Sequence, residues 1–385
     1  MNELFMRKPR LFTPGPTPIP EHVMLRMAHP IIHHRHAEFT ELVGRINRRL
    51  QYLFCTQQPV LTLTSSGTGA AEAAIATLFR RGEKGININN GKFAERWGKM
   101  MRVYDMNVLD VHIPWGEAIG AEQLECIVRQ HHDAACVWLV HSETSTGTYT
   151  DIRQMAQVIR TVAPNALICI DGITSIGAHE CRMDDWDIDV VITGSQKGLM
   201  IPPGLAFIAL SERAWAKAAD VQPRSLYFNL HKAREAWHDN STPWTPAVSL
   251  FIGLDAALDM IIQEGREALW QRHALLSRGL RAGLQAINIR LFGTSPSHAV
   301  TVAYLPEQGK KDFIPLLKKT FGITVIGGQD TLQGVVFRTS HLGYYDEADM
   351  LAVLASIEQV LHCIGFSFEA GRGVYTAQRL FMGVE

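Results

Sequence analysis

Four short segments of the 385-residue chain carry residue types that could do chemistry together. The first, Thr64-Ser65-Ser66-Gly67-Thr68-Gly69, links an apolar run to an alanine-rich one. Its glycines permit a tight turn, its hydroxyls donate hydrogen bonds, and a helix starting there favours an anion, with phosphate the natural guest. Three readings compete. A nucleotide-binding P-loop needs a Gly-Lys-Ser/Thr ending that is missing here, and a dinucleotide fingerprint needs a third Gly or Ala where Glu72 stands. A plain helix cap needs no ligand at all. The second and third segments, Leu167-Ile168-Cys169-Ile170-Asp171-Gly172 and Val190-Val191-Ile192-Thr193-Gly194-Ser195-Gln196-Lys197-Gly198, set a carboxylate and an amine at the ends of apolar runs. One strand-ending acid is common in turns. Two such groups facing one crevice beside an anion loop form a constellation. Desolvation lowers a lysine's pKa and frees its amine to attack a carbonyl. A carboxylate that keeps a pyridine nitrogen protonated is the other half of a pyridoxal phosphate site. The fourth segment, Val335-Val336-Phe337-Arg338-Thr339, offers an arginine able to clamp a carboxylate with two parallel hydrogen bonds. Read alone, such an arginine is more often structural or solvated.

These groups need a scaffold, and the hydrophobic pattern supplies one. Apolar, β-branched runs alternate with helical stretches, which predicts parallel strands joined by crossover helices. Strands are expected at 59–64, 85–89, 108–113, 135–141, 167–171, 190–194 and 206–210, with helices such as 69–81, 93–106 and 151–162 between them. Their near-continuous hydrophobicity fits strands covered on both faces. Long helices are expected at 249–264 and 267–287, broken at Gly265. Beyond about residue 287, short strands (290–292, 301–305, 334–338) alternate with helices 312–321 and 347–363, and residues from Glu369 read as a partly ordered tail. The expected architecture is α/β. A large, mostly parallel sheet domain (21–265) has helices on both faces, a smaller α+β domain follows (266–385), and an N-terminal segment (1–20) packs near the site. Ligands bind such sheets in the crevice at the carboxyl ends of the strands.

Composition excludes several other classes. With 37 basic and 38 acidic side chains the net charge is −1, and basic clusters such as Arg80-Arg81 or Lys310-Lys311 are only pairs, so no nucleic-acid partner is expected. No apolar run approaches the roughly 18 residues of a membrane span. Pro14, Pro16, Pro18 and Pro20 would break a signal-peptide core. The ending Gly383-Val384-Glu385 is no peroxisomal address. Six scattered cysteines without a C-x-x-C pair read as reduced thiols of a cytoplasmic protein. The run His33-His34-Arg35-His36 invites a metal, yet it has no carboxylate partner at a suitable spacing, so no metal site is expected. His131, His132 and His231 read as structural.

At this point the chain resembles the class V, fold-type I pyridoxal-phosphate aminotransferases of the alanine/serine–glyoxylate type. The matching segments are Thr13-Pro14-Gly15-Pro16, Ser66-Gly67-Thr68, Asn90-Gly91, His141-Ser142-Glu143-Thr144-Ser145-Thr146-Gly147, Asp171 after its apolar strand, Gly194-Ser195-Gln196-Lys197, Pro202-Pro203-Gly204, Thr242-Pro243-Trp244-Thr245-Pro246 and Phe337-Arg338. They run in family order to about residue 365. The resemblance implies pyridoxal 5′-phosphate as cofactor, bonded to Lys197, whose amine then shuttles a proton. It implies Asp171 against the pyridinium nitrogen, Ser66, Gly67, Thr68 and Gln196 on the phosphate, Phe93 stacked on the ring, Ile173 on the opposite face and Ser145 hydrogen-bonded nearby. Arg338 would bind the substrate carboxylate, with Gly15 and His34 lining the substrate side; for His34 a plain surface loop is the alternative. Thr245 would reach the phosphate of a neighbouring subunit, so a homodimer is expected. Thr242 departs from the tyrosine some relatives carry there.

The implied reaction is transamination from a small amino acid, alanine or serine, to glyoxylate or pyruvate. A 2-aminoethylphosphonate–pyruvate or another specialised class V aminotransferase is the alternative. Cysteine desulfurases share the lysine and aspartate but need a nucleophilic cysteine, and residues 322–331 contain none. A non-catalytic accessory subunit is the reading from a different class. Some relatives are labelled as hydrogenase subunits, yet no cysteine set here could ligate a metal cluster. A degenerate chain should also have lost Lys197 or Arg338, and both are present.

Overall fold

The computed structural model describes residues 6–384, so the first five residues of the expected 1–20 segment lie outside the described residues. Its central sheet has seven strands, in the spatial order Val60–Leu63, Ala206–Leu210, Val190–Gly194, Leu167–Asp171, Cys136–Val140, Lys84–Asn89 and Asn107–His112. Strand residues alternate between the two faces. Val137 and Leu139 join one apolar core with Phe39, Leu50 and Phe207, whereas Cys136, Trp138 and Val140 join another with Trp97 and the Gly67–Leu78 helix. Both faces are therefore covered, and the runs read as continuously apolar for that reason.

Neighbours from Val190–Gly194 to Asn107–His112 pair in parallel. Ala206–Leu210 instead runs antiparallel to both of its neighbours. The cause is the Ser195–Leu205 connection, which is too short for the crossover that a parallel pairing requires.

A third core gathers Leu276, Leu280, Leu284, Phe313, Phe337 and Leu354 around a three-stranded antiparallel sheet of Val300–Tyr304, Val336–Ser340 and Ile326–Gly327. The strand expected at 290–292 is absent. Leu291 makes only an isolated bridge to Ala303, and Gly293, at φ +80°, turns the chain away. The expected tail after Glu369 is instead the helix Arg372–Phe381. Its start is capped from another element. Glu358, buried, accepts the backbone N–H of Gly371, Gly373 and Val374 at 2.5–3.1 Å, which satisfies donors a helix start leaves unpaired. The helix lies close on Arg266–Ala286. A Cβ at Gly279 would sit 2.2 Å from the Phe381 ring, and one at Gly283 would sit 2.8 Å from the Gly373 carbonyl oxygen.

The chain start is bound to this same unit. Arg10–Leu11 pairs in parallel with Ile323–Thr324, Phe12 is buried in the third core, and the next residues cross to the large sheet. No helix among the described residues is long and apolar enough to cross a membrane.

Candidate active site

Asp171 and Lys197 come from neighbouring strands. Asp171 ends Leu167–Asp171, and Lys197 follows Val190–Gly194, which pairs with it in parallel. Both side chains are buried. Burial pushes the Asp171 carboxyl up to about 6. The Ile173 and Trp97 N–H groups, donating at 2.8 and 2.9 Å, work against the rise, while the Glu143 charge adds to it. Burial pulls the Lys197 amine down to about 8, with Asp171 opposing and Arg338 assisting. Lys197 Nζ donates to the Pro14 carbonyl oxygen. The N-terminal segment is held there from both sides, since Thr17 Oγ1 donates to the Lys197 carbonyl at 3.0 Å. Gly15, at φ +141°, passes directly over the amine, and a Cβ there would lie 2.5 Å from Lys197 Nζ. Only glycine fits both that backbone and that distance.

Thr64–Gly69 forms a cup at the start of the Gly67–Leu78 helix. Ser66 is the N-cap, yet its hydroxyl makes no capping bond. Ile173 closes one wall, because a Cβ on Gly67 would meet Ile173 Cδ1 at 2.5 Å. The Gln196 side chain ends here too. Its Oε1 is buried without a partner, and the Cβ position of Gly194 lies 3.1 Å from that atom and 3.6 Å from Gly67 N.

A third wall is the helix Lys92–Val103, and here sequence reasoning missed three residues. Phe93 is half-buried at the first turn. One turn on, Arg96 lies with its guanidinium carbon 5.2 Å from the Phe93 ring centroid and donates to Thr68 Oγ1 at 3.1 Å. Trp97 stacks on Trp138 (4.4 Å, 16°) while its indole N–H holds Asp171. Glu143 pins the helix start. Its buried carboxylate accepts Phe93 N and Ala94 N at 3.1 and 2.9 Å on one oxygen, and Ser145 N and Oγ at 2.9 and 2.6 Å on the other. Ser145 Oγ in turn accepts Lys92 N at 3.0 Å. The spacing Phe93, Arg96, Trp97 is that of one helix face, a signal present in the sequence. Glu143 stood in a quoted motif without a role.

Arg338, on the middle strand of the small sheet, is 2% exposed. Nε donates to the Gly327 carbonyl at 3.0 Å and Nη1 to that of Thr144 at 3.3 Å, which leaves three of its five N–H donors. The structure therefore brings Gly15, Ser66, Gly67, Thr68, Phe93, Ser145, Asp171, Ile173, Gln196, Lys197 and Arg338 to the walls of one crevice. Two predicted residues stand apart. Thr245 is exposed. His34 is half-buried, its ring stacked on His33 at 4.8 Å, and among the described residues no hydrogen bond joins it to Lys197, Asp171 or Arg338. No group of three or more His, Cys, Asp or Glu among the described residues is arranged to hold a metal ion.

The model of the class V aminotransferase family matches residues 11–350, and the chain belongs to that family. It is 37% identical to the small subunit of a soluble hydrogenase from a Synechococcus species, over 97% of this chain and 98% of that one. It is 33% identical to the L-aspartate–glyoxylate aminotransferase of Paracoccus denitrificans, over 96% of this chain and 95% of that one. A solved ureidoglycine–glyoxylate aminotransferase from Bacillus subtilis superposes with a TM-score of 0.92 at 26% identity, covering 99% of this chain and all of that one. The chain is thus a transferase of the fold-type I class, with pyridoxal phosphate as its cofactor. The residues present fit that group. The free Ser66 hydroxyl and the open helix start suit a phosphate. A buried carboxylate suits a pyridine nitrogen, and a buried amine near neutrality suits an aldehyde.

Proposed function

We propose that the chain transfers the amino group of a small neutral amino acid, alanine or serine, to glyoxylate or pyruvate. The observation that carries this reading is the buried Arg338, with donors to spare, in the same crevice as Lys197. Bound pyridoxal phosphate supplies a carbonyl that captures amines and a ring that accepts electrons from the adjoining carbon. Arg338 grips the substrate carboxylate through the N–H groups that Gly327 and Thr144 leave unused. Lys197 Nζ, which burial favours in its unprotonated form, would move a proton between the substrate Cα and the cofactor carbon that had carried the carbonyl. Asp171 presents a negative charge to the ring nitrogen. Ser66, Gly67, Thr68 and Gln196 hold the phosphate, while Phe93 and Ile173 flank the ring. Ser145, tied to Glu143, keeps the Phe93 turn in place.

A carboxylate clamp recognises only what all amino acids share, so the small-donor preference rests on the absence of a second arginine hydrogen-bonded into the Arg338 end among the described residues. The division into a large unit up to residue 265 and a small one from 266 belongs to the same reading, with Gly265 as the break between two long helices. So does a homodimer. Thr245 is exposed beside the stacked Tyr227 and Trp244, and Leu226 is 71% exposed, which suits a face covered by a second copy. Free thiols at all six cysteines suit the cytoplasm. The test is a screen of amino donors against 2-oxo acids. Alanine or serine with glyoxylate or pyruvate should give the highest kcat/KM; a preference for aspartate or for an aminophosphonate would displace this reading.

A further inference from the structure

We propose that Arg96 is a positioning residue for the phosphate end of the cofactor. It holds the Thr68 hydroxyl in a donating orientation and brings to the cup the positive charge that the cup lacks. This rests on the reading of Ser66–Thr68 as the phosphate cup.

The charge balance comes first. A phosphate monoester carries about −1.5 to −2 near neutral pH, and a helix start offers about half a positive charge. Ser66, Gly67, Thr68 and Gln196 bring no formal charge. The two buried cations of the crevice are engaged elsewhere, Lys197 with the Pro14 carbonyl and Arg338 with those of Gly327 and Thr144. Arg96 is hydrogen-bonded to the cup itself, through Nη1 to Thr68 Oγ1 at 3.1 Å.

The direction of that bond matters as much as the charge. A guanidinium has donors only, whereas a hydroxyl has one proton and two lone pairs. Arg96 fills a lone pair of Thr68 and cannot accept its proton, so the proton is left for an anion in the cup. The same guanidinium lies over the Phe93 ring at 5.2 Å, an arrangement a cation favours. One turn of helix therefore links the aromatic wall to the cup. Arg96 is itself exposed, so replacing it leaves the cores untouched.

The test compares R96Q with the natural chain, each stripped of cofactor and titrated with pyridoxal phosphate and with pyridoxal. Both ligands offer the same ring and aldehyde, so their difference isolates the phosphate. The Kd for pyridoxal phosphate should rise about tenfold or more in R96Q while that for pyridoxal moves less than about twofold. R96K should recover part of the loss, since it restores charge without the planar fork. Equal binding of pyridoxal phosphate by R96Q and the natural chain would overturn the proposal. So would an equal loss for both ligands, or a change confined to the KM of a dicarboxylic donor. Failure of the natural chain itself to bind pyridoxal phosphate would instead bring down the reading of the cup.

Discussion

Replacing Trp97 with Phe removes the indole N–H from the site together with part of the buried ring system. The ring that stacks on Trp138 at 4.4 Å stays aromatic, but the N–H that meets Asp171 Oδ2 at 2.9 Å is gone. A hydrogen bond to a buried charge contributes about 1.5–3 kcal/mol, and 1.36 kcal/mol is one pKa unit. The bond favours the ionised carboxyl, so its loss should raise Asp171 by roughly one to two units from its starting point of about 6. The consequence for stability has a definite sign. Asp171 is raised above its unfolded value, so it favours the folded cofactor-free chain at low pH and ceases to do so as pH rises through the folded pKa. W97F moves that loss to higher pH, and the part of the deficit that comes from the hydrogen bond should open only where Asp171 would otherwise be ionised. Urea unfolding of both cofactor-free proteins at about pH 5 and about pH 8 measures it. The gap should be larger by about 1–2 kcal/mol at the higher pH. A gap of the same size at both would mean that Trp97 is packing alone and that its N–H does not act on Asp171.

Three further outcomes are expected. G15A places a Cβ 2.5 Å from Lys197 Nζ on a backbone at φ +141°, so kcat/KM should fall about a hundredfold through misplacement of the amine; near-normal turnover would refute the need for glycine. Capture of pyridoxal phosphate by the cofactor-free chain needs an unprotonated Lys197, so its rate should climb about tenfold per pH unit and level off near pH 8, not near 10, in stopped-flow absorbance. Burial lowers His141, His179, His273 and His341, with His141 and His273 at about 3. The unfolded chain protonates these below about pH 6.5 and the folded chain does not, so stability is present above that value and lost on acidification. Urea midpoints that stayed flat from about pH 7 to 5 would contradict it.

Strands covered on both faces were the most legible part of the fold. Leu167–Asp171, Val190–Gly194 and Ala206–Leu210 begin and end where their apolar runs do. The direction of Ala206–Leu210 was not legible in its own residues, because direction is set by the length of the preceding connection. The Arg372–Phe381 helix was missed for a related reason. It packs closely on Arg266–Ala286, but the groups that define that contact and its start, the glycines 279 and 283 and Glu358, belong to other elements. At the site, residues that end strands stood out: Asp171, Lys197 and Arg338. Residues that act by holding those groups did not. Trp97 has no visible role in the sequence until its N–H is seen on Asp171, and Glu143 stands in a motif without a role until four donors are found around it.

The path of the chain start also dictates an order of events during synthesis. The segment that closes over the Lys197 amine is threaded from Arg10–Leu11, and those residues find their partners only at Ile323–Thr324. A nascent chain can complete the large sheet and still have no strand to anchor its own beginning. The Pro14 cover over the reactive amine is therefore anchored only once most of the polypeptide has emerged.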